Sequence, residues 1–401
     1  MKKLLFLLVL YLVLFINHCE SQWVQMSNGM GTNQNVYFLS SSGNNIYAGT
    51  YNTSNGIFLS TNMGGNWTQA GFNNYDITAL ATNGNYVFAG VRKEVFLTTG
   101  MYVSTNNGNN WTLTSLDSEE VNVIYISNNV IYAGTYRFYS SNDNGVTWFR
   151  TYIPGVTMIL SLAKCNNYLF TGSLYNGIYI SSNNGVNWTQ SSLNNESILS
   201  LTVNGNNIYA GTTFGGVYLS TNNGLNWIQT NLNIEEVYTV AISGNNIFAG
   251  TASGVYLSKN NGVNWVIKNE GFPWSIPIHT LLINGNYLFG GGVSVWKRPL
   301  SDFTGLINIS EELPFKYSLE QNYPNPFNPS TNIKYQIVRN SFVKLIVFDA
   351  LGREVETLVN EKKSPGTYEV TFDGSKLSSG IYFYKLETEN FSDVKRMVLV
   401  K

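Results

Sequence analysis

Asp76, Glu120 and Glu236 each stand directly before a short apolar run. Two such carboxylates facing one another at about 5 to 10 Å could hydrolyse a glycosidic bond, one as acid and the other as nucleophile or base. Acids at strand starts are more simply read as solvated loop charges. Near them in the repeat, Tyr51, Arg92, Lys93, Glu94, Arg137, Tyr175 and Phe214 follow second apolar runs, and Trp274 precedes the last first run. Aromatic faces interspersed with a few charges suit sugar stacking and hydrogen bonding. Other chemistry is poorly supplied. Beyond residue 21 only Cys165 and His279 remain of their types, which disfavours a disulfide framework, a Cys/His zinc site and a Cys-His dyad. His279 reads as a strand residue and Cys165 as a lone thiol at a turn position. No helix follows the glycines at 290–292 to receive a phosphate, and the Asn-Asn-Gly runs lack the carboxylates that calcium favours. Neither a metal nor a cofactor is expected.

The elements that must position these residues are strands. Of 401 residues, 14% are aromatic and only 12% charged, a balance that suits β structure and not long charged helices. Net charge is −1, so no nucleic-acid partner is indicated. A phrase Asn-Ile-Tyr-Ala-Gly-Thr recurs at 45–50, 207–212 and, with Phe for Tyr, 246–251, and diverged copies end at Gly90, Gly134, Gly172 and Gly291. Seven copies at a period of about 40 residues, each holding four strand-length runs, describe the blades of a seven-bladed β-propeller. The expected class is all-β.

Six copies close with Ser-x-Asn/Asp-x-Gly-x-x-Trp, carried by Asn62 and Trp67, Asn106 and Trp111, Asp143 and Trp148, Asn183 and Trp188, Asn222 and Trp227, and Asn260 and Trp265. The acid or amide accepts turn amides, Gly supplies φ > 0 and Trp fills space between blades. This wording resembles the Asp-box (BNR) repeat propellers, which include sialidases and xyloglucan-degrading hydrolases, although five of the six boxes carry Asn. The resemblance implies that the boxes are structural and that ligands sit on the opposite face, where first strands begin. Sialidase chemistry would need a converging arginine triad. Of Arg92, Arg137, Arg150 and Arg298, only the first two fall near that face, since Arg150 follows Trp148 on an outer strand and Arg298 lies beyond the last strand. The seventh copy lacks a box, but Trp23 stands 44 residues before Trp67 as Trp67 stands 44 before Trp111. The segment around Trp23 is therefore expected to close the ring as the outer strand of blade 7.

The ends of the chain carry an address. Lys2 and Lys3 precede thirteen apolar residues, Leu4 to Ile16, giving residues 1–21 the pattern of a cleaved signal peptide. Thirteen residues span only about 20 Å as helix, too short for a membrane span. The propeller is expected over 22–298, a linker over 299–312 and a second domain over 313–401. That second domain is charge-dense and reads as a small Ig-like β-sandwich of five strands, 332–337, 343–349, 366–372, 380–387 and 392–400. Its phrases at 323–331, 347–353, 377–384 and 395–401 closely resemble the type IX secretion C-terminal sorting domain. The resemblance implies recognition or turn roles for Gly352, Pro365, Gly366, Gly380, Tyr382, Lys395 and Val398, a type IX translocon as partner, and secretion or attachment at the outer surface of a Gram-negative bacterium. The preferred reading is a monomeric, non-catalytic propeller that binds carbohydrate or a surface protein. The alternatives are a glycoside hydrolase using Asp76, Glu120 and Glu236, or an envelope assembly scaffold.

Overall fold

The computed structural model describes residues 22–401 apart from 33, 94–97, 234, 304–306, 309–316, 339–340, 364–365 and 390. The expected signal peptide, Glu94 and Pro365 therefore lie outside the described residues. The chain divides between Phe303 and Thr304 into two units.

The first unit consists of seven four-stranded antiparallel sheets, each a meander running outward from its first strand. Six are built from consecutive residues, and the seventh joins Thr280–Asn284, Tyr287–Gly291 and Val295–Pro299 to Val24–Gln25 from the other end of the chain. Val24 pairs with Lys297 and Gln25 with Trp296, so the ring closes as the Trp spacing requires. Second strands such as Asn45–Thr50 are buried along almost their whole length because a blade packs on each face. This explains their continuous apolar runs. First and second strands meet in tight hairpins whose leading turn residue is Gly43, Gly84, Gly205, Gly244 or Gly285 in five blades, at φ between 56° and 60°. A left-handed first turn residue matches the twist of the flanking strands, and Gly adopts it without strain.

All six Ser-x-Asn/Asp-x-Gly-x-x-Trp segments fold alike. In the first, the Gly64 N–H donates to Ser60 Oγ at 2.9 Å and the Asn66 N–H to Asn62 Oδ1 at 2.8 Å. Asp143 makes the same turn and also accepts Thr147 Oγ1 at 2.6 Å. Hydrogen bonds from Thr147 and Ser141 hold its carboxyl at about 2. The Trp rings tie blades together: Trp67 Nε1 donates to Met26 O and Trp111 Nε1 to Ala70 O, each on the outer segment of the preceding blade. Trp23 does the same for blade 7, donating to Lys268 O at 2.6 Å and stacking on Phe272 at 5.2 Å.

The expected linker over 299–312 is partly structured. Pro299 ends the third strand of blade 7, which also contains Arg298, so that residue does not lie beyond the last strand. Leu300–Phe303 form a 3-10 turn whose Phe303 is buried 4.8 Å from Phe248. Ile307–Asn308 pair with Glu369 and Tyr368 and so belong to the second unit.

That unit contains two four-stranded antiparallel sheets over one core, which includes Tyr335, Val347, Phe372, Tyr384 and Leu399. The strand Glu354–Lys363 was not among those expected; it is an edge strand whose residues are mostly exposed, half of them charged, with only Val359 buried. Such an edge hides its apolar alternation and discourages pairing with another chain. Gly352 takes φ 79° in the turn before it. Gly366, Gly380, Lys395 and Val398 occupy ladder positions, and the Tyr382 hydroxyl donates to Ser378 O at 2.8 Å.

Candidate functional site

In a four-stranded meander, the loops after second strands and those leading into first strands share one face, and the box turns lie on the other. The candidate residues thus share the channel mouth. Tyr175, Phe214 and Trp274 stand 67%, 78% and 66% exposed there, joined by Tyr136, which sequence reading passed over. Tyr175 holds φ 64°, an uncommon left-handed state for a bulky residue, with its N–H bonded to Ser197 Oγ at 3.0 Å.

Asp76 is not a solvated loop charge. It is 1% exposed, accepts the Ser54 N–H at 3.1 Å and lies 3.6 Å from Arg92. Arg92 also reaches Glu120 Oε1 at 3.1 Å and the Tyr51 hydroxyl at 2.7 Å. Four of the sequence candidates therefore meet in one cluster spanning blades 1 to 3. Arg137 instead pairs with Glu119 at 3.5 Å, and Glu119 also accepts the Tyr139 hydroxyl at 2.8 Å. Glu236 stands apart from this cluster on blade 6 and accepts the Tyr238 hydroxyl at 2.9 Å.

Aromatic rings join the two groups. Tyr51 packs on Tyr37 at 5.3 Å, Tyr37 stacks on His279 at 3.9 Å, and Tyr238 meets His279 at 4.8 Å. A continuous band thus runs from Glu120 through Arg92, Tyr51, Tyr37, His279 and Tyr238 to Glu236, crossing blades 3, 2, 1, 7 and 6. His279 precedes the first strand of blade 7 and lines the channel. Tyr37 and Tyr238 were missed, though a signal exists: each follows a fully buried anchor, Val36 or Val237, at a corresponding position of its repeat. Cys165 is buried, free and inert in character, since burial pushes its thiol up. Among the described residues, no three His, Cys, Asp or Glu side chains are grouped to hold a metal ion.

Burial holds the His279 imidazole down at about 4. Between roughly pH 4 and 6.5 the unfolded chain then binds a proton that the native chain refuses, so stability falls as the medium is acidified through that window. The expected loss is on the order of 3 kcal/mol. His279 is the single histidine of residues 22–401, so its ring signals can be titrated by NMR without assignment. A midpoint near 6.5 would show a solvated ring, and a His279→Phe variant should lose this part of the acid sensitivity.

The fold and mouth define a seven-bladed β-propeller carrying a separate two-sheet β unit. Residues 321–401, within that unit, match the family of secretion system C-terminal sorting domains. The chain is thereby marked as cargo of type IX secretion. No curated protein matches the chain. Among solved structures it resembles YCF48 bound to D1 peptide, with TM-score 0.55 and 15% identity over 72% of this chain and 98% of that one. YCF48 from Cyanidioschyzon merolae follows at 0.54 and 14%, covering 70% and 98%. The Niastella koreensis GH74 enzyme gives 0.53 and 15%, covering 79% of this chain but 59% of its own. At such identities the likeness concerns the fold alone.

Proposed function

We propose that this is an exported propeller, delivered by type IX secretion to the cell surface or beyond, whose mouth binds neutral carbohydrate without catalysis. The observation that carries the reading is the set of exposed aromatic side chains on mouth loops, Tyr136, Tyr175, Phe214 and Trp274, on the same face as the fixed polar groups of Tyr51, Arg92 and Glu120. Exposed aromatic faces suit stacking on the apolar faces of sugar rings. Charge disfavours an anionic ligand, because Asp76, Glu119, Glu120, Glu196, Glu235 and Glu236 outnumber Arg92, Lys93 and Arg137 around the mouth. The acids support binding over hydrolysis: Asp76 and Glu120 share one guanidinium, and Asp76 is further committed to Ser54. Carboxylates tied to one cation are poorly placed to flank a glycosidic oxygen.

A neutral-glycan array followed by calorimetry tests this. Replacing Tyr175, Phe214 and Trp274 together by alanine is expected to weaken binding at least tenfold while the protein stays folded. Release of reducing ends from a bound glycan would transfer the site to hydrolysis. Failure of the folded chain to bind any neutral glycan would overturn the reading and direct the search to protein partners.

A further inference from the structure

The channel below the mouth has a construction of its own. In five blades the residue after the buried anchor drops out of register with the second strand: Tyr37, Thr78, Leu160, Leu199 and Tyr238. A bulge adds one unpaired residue and re-aims its side chain. Asn122 and His279 take the corresponding place in the other two blades, directly before the innermost strands. Of this ring of seven, all but Thr78 line a cavity of about 220 Å³ on the propeller axis. Thr78 instead turns to the next blade and bonds Val121 O at 2.7 Å.

The wall is divided. Tyr238, His279 and Tyr37 form an aromatic side from blades 6, 7 and 1, while Leu160 and Leu199 form an aliphatic side from blades 4 and 5. The cavity equals roughly seven waters of liquid volume, room for one ring-sized solute and too little for a drug-sized molecule. The buried Nδ1 of His279 has no hydrogen-bond partner among the described residues. The buried nitrogen is best accommodated as a bare lone pair, because an unpaired buried N–H is the costlier orphan. Nε2–H is then the donor the ring has to offer. A neutral donor beside aromatic and aliphatic walls matches a sugar ring, with hydroxyls at its edge and C–H groups on its faces.

Resting on the carbohydrate reading above, we propose that the glycan binds end-on, its terminal sugar ring lodged in the channel between Tyr37, Tyr238 and His279 on one side and Leu160 and Leu199 on the other. The protein then recognises chain ends, and the rim aromatics hold the sugars that follow. Because Glu236 sits on Tyr238 at this entrance, an acidic terminal sugar is disfavoured.

The test uses the chain from residue 22 to 401 with cellohexaose, laminarihexaose and maltohexaose as probes. Calorimetry reports binding, and the His279 ring signals report channel occupancy in the unmodified protein. An oligosaccharide that binds and shifts those signals supports the proposal. Leu199→Trp, which fills the channel and leaves the rim untouched, is then expected to weaken that oligosaccharide at least tenfold. Binding that leaves His279 unmoved, and that Leu199→Trp does not weaken, overturns end-on entry while the rim reading survives. Absence of binding by all three probes, together with a blank neutral-glycan array, overturns both.

Discussion

Trp23→Ala is expected to lower the thermal midpoint of the propeller by roughly 10 °C. Removing a buried Trp costs about 3 to 5 kcal/mol, and each kcal/mol moves the midpoint of a domain this large by about 2 to 4 °C. Trp23 is 2% exposed, donates to Lys268 O and packs on Phe272, which in turn meets Trp296 at 5.1 Å. Its loss also frees the pairing of Val24 and Gln25 with blade 7, exposing a sheet edge at Trp296 and Lys297. Calorimetry of the purified chain reads the effect, with Trp111→Ala as the counterpart inside an unbroken blade. A change below about 2 °C would mean that the closing strand contributes little.

The second large effect is expected at Arg92. Arg92→Met strands a nearly inaccessible Asp76 carboxylate which, among the described residues, keeps only the Ser54 bonds to compensate it. Removing one partner of a buried pair costs about 3 to 5 kcal/mol. Arg92 is itself about a quarter exposed, so the lower figure applies. The double variant Arg92→Met with Asp76→Asn should recover most of the loss, because the uncompensated charge disappears with the second change. Urea unfolding of the two single variants and the double completes the cycle. Additive single effects would show that Asp76 does not depend on Arg92. On the proposed carbohydrate reading, glycan affinity should fall in Arg92→Met even where folding is rescued, since the Tyr51 hydroxyl loses its 2.7 Å anchor.

Much of this architecture was legible because blade structure is written in short-range patterns. The recurring strand phrases marked seven blades, and the 44-residue Trp spacing placed residue 23 in the ring. The change in charge density after the propeller marked a second unit; the division between Phe303 and Thr304 falls inside the expected 299–312 linker, and the strands Ile307–Asn308, Ser318–Leu319 and Glu354–Lys363 carried no clear sequence pattern. The shared loop position of the mouth residues was also legible, because loop position follows from strand order. Their partners were not. Asp76 and Glu120 carried no sign in sequence that one arginine would hold both, nor that Glu119 in place of Glu120 would receive Arg137.

The channel site belongs to tertiary structure alone. Tyr37 and His279 stack at 3.9 Å although 242 positions separate them, because ring closure makes blades 1 and 7 neighbours. The residue after each buried anchor stands at the mouth end of an innermost strand, and in six of the seven blades packing of the closed ring places it on the axial cavity. By itself the sequence determined the number of blades, the turns and the export tail, since these follow from periodicity and turn chemistry within tens of residues. Only the closed ring decided which side chains converge on its axis, since that convergence joins residues from both ends of the propeller.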